Sequence, residues 1–294
     1  MQKWIAAARL RTLPLSFSSI IIGNALAYKQ GIFSWSIAVL ALLTTFFLQI
    51  LSNYANDYGD FKNGADLSGR IGPQRAVQSG EISVSAMKNA IILFIFLCLV
   101  SGTMLLYFTF DGQFQARFWL FLGLGLTSIV AAYTYTAGKN PYGYAGLGDI
   151  SVFLFFGLVG VIGSYYLQVK SVSVLVVTFA TACGLLATGV LNINNIRDIE
   201  SDSRAGKMTI PVRLGKSNAI KYHWFLLVSA SILIFIGCYL LKKEFNFYYM
   251  IVPFLSFLRN GIQVSRLKNP DPMLKQLALS TFIFSLLLTM YIIK

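Results

Sequence analysis

Two stretches of this 294-residue chain gather carboxylates and amides where an apolar run ends. The first, NYANDYGDFKNGAD at 53–66, carries Asp57, Asp60 and Asp66 with Asn53, Asn56 and Asn63. The second, LNINNIRDIESDSRAGKMTIPVRLG at 191–215, repeats the spacing: Asn194-x3-Asp198 matches Asn53-x3-Asp57, and Asp202 follows. Residues three, four and seven apart share a helix face, so Asn53, Asn56 or Asp57, and Asp60 form one stripe, and Asn194, Asp198 and Asp202 another. Like charges one turn apart, at the negative end of a helix dipole, destabilise the helix unless a cation lies between them. A hard divalent ion is such a cation: Mg²⁺ takes one or two carboxylates and keeps water and phosphate oxygens in its other positions. Asn53 and Asn194 add a neutral oxygen or hold a ligand water. Arg70, Arg75, Arg204 and Lys207 follow the acidic stretches and suit the phosphate oxygens that a metal leaves free. Together the residues have the chemistry of a polyphosphate site. Asp and Asn also cap helices and populate solvated loops, but a second cluster with the same spacing is not expected of caps. Membrane orientation competes as an explanation for each single Arg or Lys.

Such a site has to be carried by the elements around it. The chain is 56% hydrophobic and 12% charged, with mean hydropathy +0.67, too apolar for an ordinary soluble domain of this length. Windows long enough to cross a bilayer fall at roughly 13–29, 34–55, 87–109, 117–136, 148–168, 172–195, 220–241, 246–264 and 274–293. The expected fold is therefore all-α: a polytopic membrane bundle of about nine transmembrane helices with a polar cytoplasmic cap. It is read as one domain over 1–294, with a weak internal duplication that places one acidic motif after span 2 and the other after span 6. The N-terminus and the loops after spans 2, 4, 6 and 8 carry 18 of the 24 Lys and Arg. The positive-inside rule makes that side cytoplasmic. Nine of the 11 acids, all but Asp111 and Glu244, lie there too, which orientation alone does not require. The net charge of +13 follows from topology and anionic lipid, and no nucleic-acid module appears. No cleavage site follows the basic start of Lys3, Arg9 and Arg11, so no removable signal peptide is expected. Cys98, Cys183 and Cys238 are scattered through apolar segments and suit neither disulfides nor zinc. The lone His223 reads as an interfacial side chain.

Paired aspartate-rich stretches after the second and sixth of nine spans resemble the UbiA superfamily of intramembrane prenyltransferases, over nearly the whole chain. Within it, NDYGDFKNGAD, GRIGPQRAVQSG (69–80), YTYTAGKNPYGYAGLGDISVFLFFG (133–157) and NNIRDIESDSRAGKMTIPVRLG (194–215) are similar to the branch that prenylates 1,4-dihydroxy-2-naphthoate on the way to menaquinone. The first motif is spaced D-x2-D-x5-D and the second D-x3-D, so either Asp60 or Asp66 completes the first metal shell. The resemblance implies that Mg²⁺ on Asp57, Asp60, Asp198 and Asp202 binds the diphosphate of a polyprenyl chain and neutralises the leaving group. It implies an allylic cation faced by Tyr54, Tyr58, Tyr133 and Tyr135, and a tail that leaves sideways into lipid. Attack by the ring of the aromatic acceptor, with loss of CO₂, would give a demethylmenaquinol and pyrophosphate. The expected setting is the cell (inner) membrane, with the site on its cytoplasmic side.

Other residues carry two readings each. Tyr135-x3-Lys139 puts a phenol and an ammonium one turn apart at the end of span 4, and the similar family motif lies over the diphosphate; an interfacial Tyr with a topogenic Lys is the alternative. Asp149 orients the acceptor or a basic side chain, or is a helix N-terminal charge. Arg9 and Arg11 bind the acceptor carboxylate, or serve topology. Acceptors such as 4-hydroxybenzoate or homogentisate are alternatives within the class. A divalent-cation transporter would line a path across the bilayer with ionisable ligands, and none lies mid-span here. A CDP-alcohol phosphotransferase would need a D-G-x2-A-R stretch, which is absent.

Overall fold

The computed structural model describes residues 1–64, 75–241 and 248–294. Asp66, Arg70 and the 69–74 part of GRIGPQRAVQSG lie outside the described residues. Every regular element among the described residues is helical. Among the described residues nine long helical stretches occur where nine spans are expected, and eight of them are long and apolar enough to cross a membrane. The exception, Tyr248–Arg266, is long enough but is interrupted by Ser256, Arg259, Asn260 and Gln263. Two expected boundaries move. The second span continues through the acidic stretch to Lys62, and the seventh starts at Ile210, broken at Gly215, whose φ of 74° an L side chain rarely adopts.

The chain divides into two compact units. The first comprises Met1–Leu13, Trp35–Gly148 and Glu200–Thr209. Its elements are α1 (Gln2–Ala8), the 3₁₀ turn Leu10–Thr12, α3 (Trp35–Lys62), α4 (Val84–Thr109), α5 (Ala116–Thr134) and most of α9 (Ile199–Arg204). Ser83 caps α4 by accepting from the Ala86 N–H at 3.2 Å, a neutral start suited to an apolar helix. The core packs Ala7 and Ala8 of α1, Ile50, Leu51 and Tyr54 of α3, and Met87, Ile91 and Cys98 of α4. Tyr54 is part of it: its ring meets Trp4 and Phe94 edge-on at 5.6 and 5.4 Å, and its hydroxyl donates to the Trp4 carbonyl at 3.2 Å. Packing therefore accounts for Tyr54, one of the aromatics expected around a cation. Exposed apolar side chains such as Ile92, Phe96, Trp119 and Leu120 clothe α4 and α5, as lipid-facing helices require.

The second unit comprises Pro14–Ser34, Asp149–Ile199 and Ile210–Lys294. It contains α2 (Leu13–Lys29), the stretch α6 (Gly148–Val152), a π-helix (Phe153–Ile162) and α7 (Gly163–Val169), then α8 (Val174–Arg197), α10 (Ile210–Leu240), α11 (Tyr248–Arg266) and α12 (Asp271–Ile293). Helices in lipid associate through close backbone approach at small residues. Gly157 and Gly184 are such a pair, since a Cβ on Gly157 would fall 2.6 Å from the Gly184 Cα. His223 is not interfacial: it is fully buried, and its Nε2 lies 2.9 Å from Asn260 Oδ1. Asn260 donates in turn to the Met273 carbonyl at 2.9 Å and to Gln276, and Gln276 donates to the Ser256 carbonyl at 3.0 Å. This network ties α10, α11 and α12 and explains why α11 is polar.

Candidate active site

In the first unit the last turns of α3 carry Asn53, Asp57 and Asp60 on one buried face, at spacings of four and three. Asn53 Nδ2 donates to the Ala8 carbonyl at 2.8 Å and to Thr12 Oγ1 at 3.3 Å. These bonds hold the 3₁₀ turn that carries the half-buried Arg11 against the acidic helix. Asp57 accepts the backbone N–H of Ala76 at 3.1 Å and of Val77 at 3.3 Å, so it fixes the segment after the acidic stretch. Asp60 Oδ2 is ion-paired with Arg75, whose guanidinium also donates to the Asn56 carbonyl. Asp60 Oδ1 accepts the Tyr144 hydroxyl at 2.8 Å.

Tyr144 joins the two acidic motifs inside this unit. Its carbonyl accepts the Met208 N–H at 2.9 Å, and Lys207 Nζ stands 5.5 Å from its ring centroid. Lys207 is buried and lies 3.9 Å from Asp202 Oδ1. Asp60, Tyr144, Lys207 and Asp202 thus form a continuous polar chain linking the first acidic helix to the segment carrying the end of the second motif. Close approach is built in: a Cβ on Gly59 would fall 2.5 Å from the Thr136 carbonyl carbon, and Thr136 Oγ1 bonds Asn56 Oδ1 at 3.0 Å.

The pairing expected of Tyr135 and Lys139 takes another form. Helix α5 stops at Thr134, Tyr135 is its C-cap, and Gly138 turns the chain with φ 100°. Lys139 is therefore exposed in a bend and not one helical turn above Tyr135, whose ring packs edge-on against Tyr142 at 5.4 Å. Arg204 is also exposed, and its Nε donates to the Glu200 carbonyl at 3.3 Å.

In the second unit Asp198 is the C-cap of α8 and is buried. Arg197 grips it with two hydrogen bonds, Nε to Oδ1 at 2.8 Å and Nη2 to Oδ2 at 2.6 Å. The same guanidinium bonds Asn194 Oδ1 at 2.8 Å and pairs with Asp271 at the start of α12. Asp149, on the first turn of α6, accepts the Tyr222 hydroxyl at 3.0 Å. Tyr144, Arg197, Tyr222 and Asp271 bond the candidate residues, and reading the sequence did not single them out. Tyr144 lay inside a quoted motif, whereas Arg197 reads as topogenic until its two-pronged grip is seen.

Among the described residues no three His, Cys, Asp or Glu side chains converge as a ready metal cage. The donor chemistry nevertheless fits a hard divalent ion. The candidate ligands are carboxylate and amide oxygens, and the cations lodged against Asp60 and Asp202 mark where positive charge is favoured.

The profile of the UbiA prenyltransferase family matches residues 16–287. The chain belongs to the UbiA prenyltransferase family. Two relatives are each named 1,4-dihydroxy-2-naphthoate octaprenyltransferase. That of Escherichia coli is 52% identical over 231 residues, 79% of this chain and 74% of its own length. That of Haemophilus influenzae is 48% identical over 243 residues, covering 82% and 76%. A UbiA homolog from Archaeoglobus fulgidus, solved bound to DMAPP and Mg²⁺, shares the fold at TM-score 0.63 and 22% identity, over 97% of this chain and 98% of that one. This UbiA-family chain is an aromatic prenyltransferase and a multi-pass membrane protein.

Proposed function

We propose that the enzyme transfers a polyprenyl group from its diphosphate to 1,4-dihydroxy-2-naphthoate, releasing pyrophosphate and CO₂ and giving a demethylmenaquinol for menaquinone. The observation that carries this reading is 52% identity, over 79% of the chain, to a relative named for that acceptor. The allylic carbon–oxygen bond breaks with its electron pair leaving on the diphosphate. A ring carbon then forms the new carbon–carbon bond, and departure of the carboxylate as CO₂ returns an electron pair to the ring.

The chain's own residues divide the work. Asp57, Asp60 and Asp202 of the first unit, with Asp198 proposed on the repeated Asn-x3-Asp spacing, hold Mg²⁺, and Asp66 remains the alternative to Asp60 for the first shell. Mg²⁺, when bound, supplies positive charge to the leaving diphosphate. Arg75 and Lys207 release Asp60 and Asp202 to bind diphosphate oxygens, with Arg70, Arg204 and Lys139 as further cations. Asn53 and Asn194 orient the carboxylate-bearing helices. Tyr58, Tyr133 and Tyr135 face the allylic cation and exclude water. Arg11 receives the acceptor carboxylate, and Asp149 orients its ring. The excess of Lys and Arg on one side supports a cytoplasmic site in the inner membrane.

Membranes carrying the enzyme, given labelled polyprenyl diphosphate, are expected to prenylate 1,4-dihydroxy-2-naphthoate and release its carboxyl label as CO₂. Activity is expected to stop with EDTA and resume with Mg²⁺. Preferred transfer to 4-hydroxybenzoate or homogentisate overturns the acceptor, retained carboxyl label overturns the decarboxylation, and turnover in EDTA overturns the metal.

A further inference from the structure

A second polar constellation lies wholly inside the second unit, and no step described so far uses most of it. It closes as a ring of contacts across α6, α8 and α10. Thr188 Oγ1 of α8 reaches the Asp149 carbonyl of α6 at 3.5 Å. One turn along α8, Asn192 Nδ2 donates to the Ala219 carbonyl of α10 at 3.1 Å. Three residues along α10, the Tyr222 hydroxyl returns to Asp149 Oδ2 at 3.0 Å. Asn195, three residues beyond Asn192, continues the same α8 face toward Asp198.

Two oxygens on this α8 face are unsatisfied. Asn192 Oδ1 and Asn195 Oδ1 are buried without a hydrogen-bond partner, on residues 0% and 1% exposed. The orientation of Asn192 is fixed by chemistry, because turning its amide over would set oxygen against the Ala219 carbonyl oxygen. A buried acceptor left unpaired is costly, and such groups are few in folded proteins. Two of them three residues apart on one face, beside a buried carboxylate, ask for a ligand that brings hydrogen-bond donors. The surroundings also select which edge of a ligand enters. Amide oxygens and the Asp149 carboxylate repel a carboxylate and accept hydroxyl protons.

We infer that Asn192 and Asn195 read the ring hydroxyls of the aromatic acceptor, beside Asp149, Tyr222 and Thr188. This rests on the aromatic-acceptor reading above and adds to it the residues that recognise the hydroxyl edge. An acceptor docked this way leaves its own carboxylate directed away from Asp149. Two hydroxyl-reading oxygens match a dihydroxy ring better than a monohydroxy one.

The test uses the whole 294-residue chain and whichever acceptor the wild type turns over, so a wrong acceptor shows in the wild-type panel and a wrong residue assignment shows in the variants. Asn195→Leu is expected to raise acceptor KM about tenfold, to leave polyprenyl diphosphate KM unchanged, and to keep the thermal midpoint, because it removes an unpaired oxygen. Asn192→Leu is expected to raise acceptor KM similarly while losing the Ala219 bond. Unchanged acceptor KM in both variants, or a rise in donor KM equal to that for acceptor, overturns the assignment. One arm needs no variant. As inhibitors of the wild type, 1,4-dihydroxy-2-naphthoate analogues lacking one hydroxyl are expected to bind about tenfold more weakly than those with both, and equal inhibition overturns the inference.

Discussion

Arg75→Met tests the charge balance around Asp60 most directly. The Arg75 side chain is 6% exposed and that of Asp60 2%, so the pair is out of water and breaking it strands a buried carboxylate. Removing one partner of such a pair costs about 3–5 kcal/mol. Two features reduce this here. The Tyr144 hydroxyl stays on Oδ1 at 2.8 Å, and the methionine stem keeps the packing of the arginine chain. The expected loss is then about 2–4 kcal/mol, or an apparent melting point lower by about 4–8 °C for a chain of this size. The assay is thermal unfolding of detergent-purified protein at fixed heating rate, because unfolding of such proteins is often irreversible. Asp60→Asn removes the stranded charge, so the double variant Arg75→Met/Asp60→Asn is expected to recover most of the Arg75→Met loss, whereas Asp60→Asn alone leaves the buried Arg75 guanidinium without its carboxylate. If Arg75→Met melts within a degree of wild type, or the double variant is worse than either single one, the pair does not carry the charge balance argued here.

Further outcomes follow from the same geometry. Asp57→Ala and Asp198→Ala are each expected to lower turnover by at least about 10³-fold while membrane insertion, read by protease protection, stays intact; full activity in both rejects their proposed roles. Tyr144→Phe keeps the ring beside Lys207 but deletes the 2.8 Å bond to Asp60, and should lower kcat/KM about tenfold; wild-type kinetics would show that the chain between the two motifs is incidental. Gly59→Ala drives a methyl to within 2.5 Å of the Thr136 backbone and is expected to destabilise by about 1–3 kcal/mol. Gly123→Ala, where a Cβ meets nothing within 4 Å, should change stability by less than about 0.5 kcal/mol, and equal melting points for the two variants remove the packing argument.

The helices were readable because lipid demands long apolar runs with every backbone bond satisfied internally, a one-dimensional constraint that composition alone reveals. Where the second span's boundary moves, polar side chains have partners that only folding supplies. The apolar window of the second span ends near residue 55, whereas α3 runs on to Lys62 and buries Asp57 and Asp60 on its last turns against Ala76, Val77, Arg75 and Tyr144. Lys139 was placed on a helix face by counting four from Tyr135. A helix that ends at Thr134 and a left-handed Gly138 make that count meaningless. His223 has a sequence neighbourhood like that of an interfacial side chain, and its partner Asn260 lies 37 positions away. The α11 window is apolar enough to be counted as a span, while its Asn260 and Ser256 are bonded to α10 and α12. For Asp57, Asp60, His223 and Asn260 the missing information was a long-range pairing, which residue spacing does not encode; for Lys139 it was the local end of a helix.

The acidic residues show how far spacing can carry a chemical argument. Repeated Asn-x3-Asp pointed to carboxylates that need positive charge close by, and the structure supplies that charge from the chain itself. Arg75 lies against Asp60, Lys207 against Asp202, and Arg197 against both Asp198 and Asp271. Several buried aspartates lacking counter-charges would each pay several kcal/mol of desolvation, of order the stability of a whole domain. Asp60, Asp198 and Asp202 are instead each paired with a cation, Asp57 is given two backbone amides, and Asp149 accepts the Tyr222 hydroxyl. Pairing of this kind is compatible with catalysis because guanidinium and ammonium groups on flexible stems move between carboxylate and phosphate partners at little cost, exchanging one charged oxygen for another. Arginine and lysine beside these aspartates therefore answer both demands on the site, a folded state that tolerates buried anions and a binding surface ready for a polyanionic substrate.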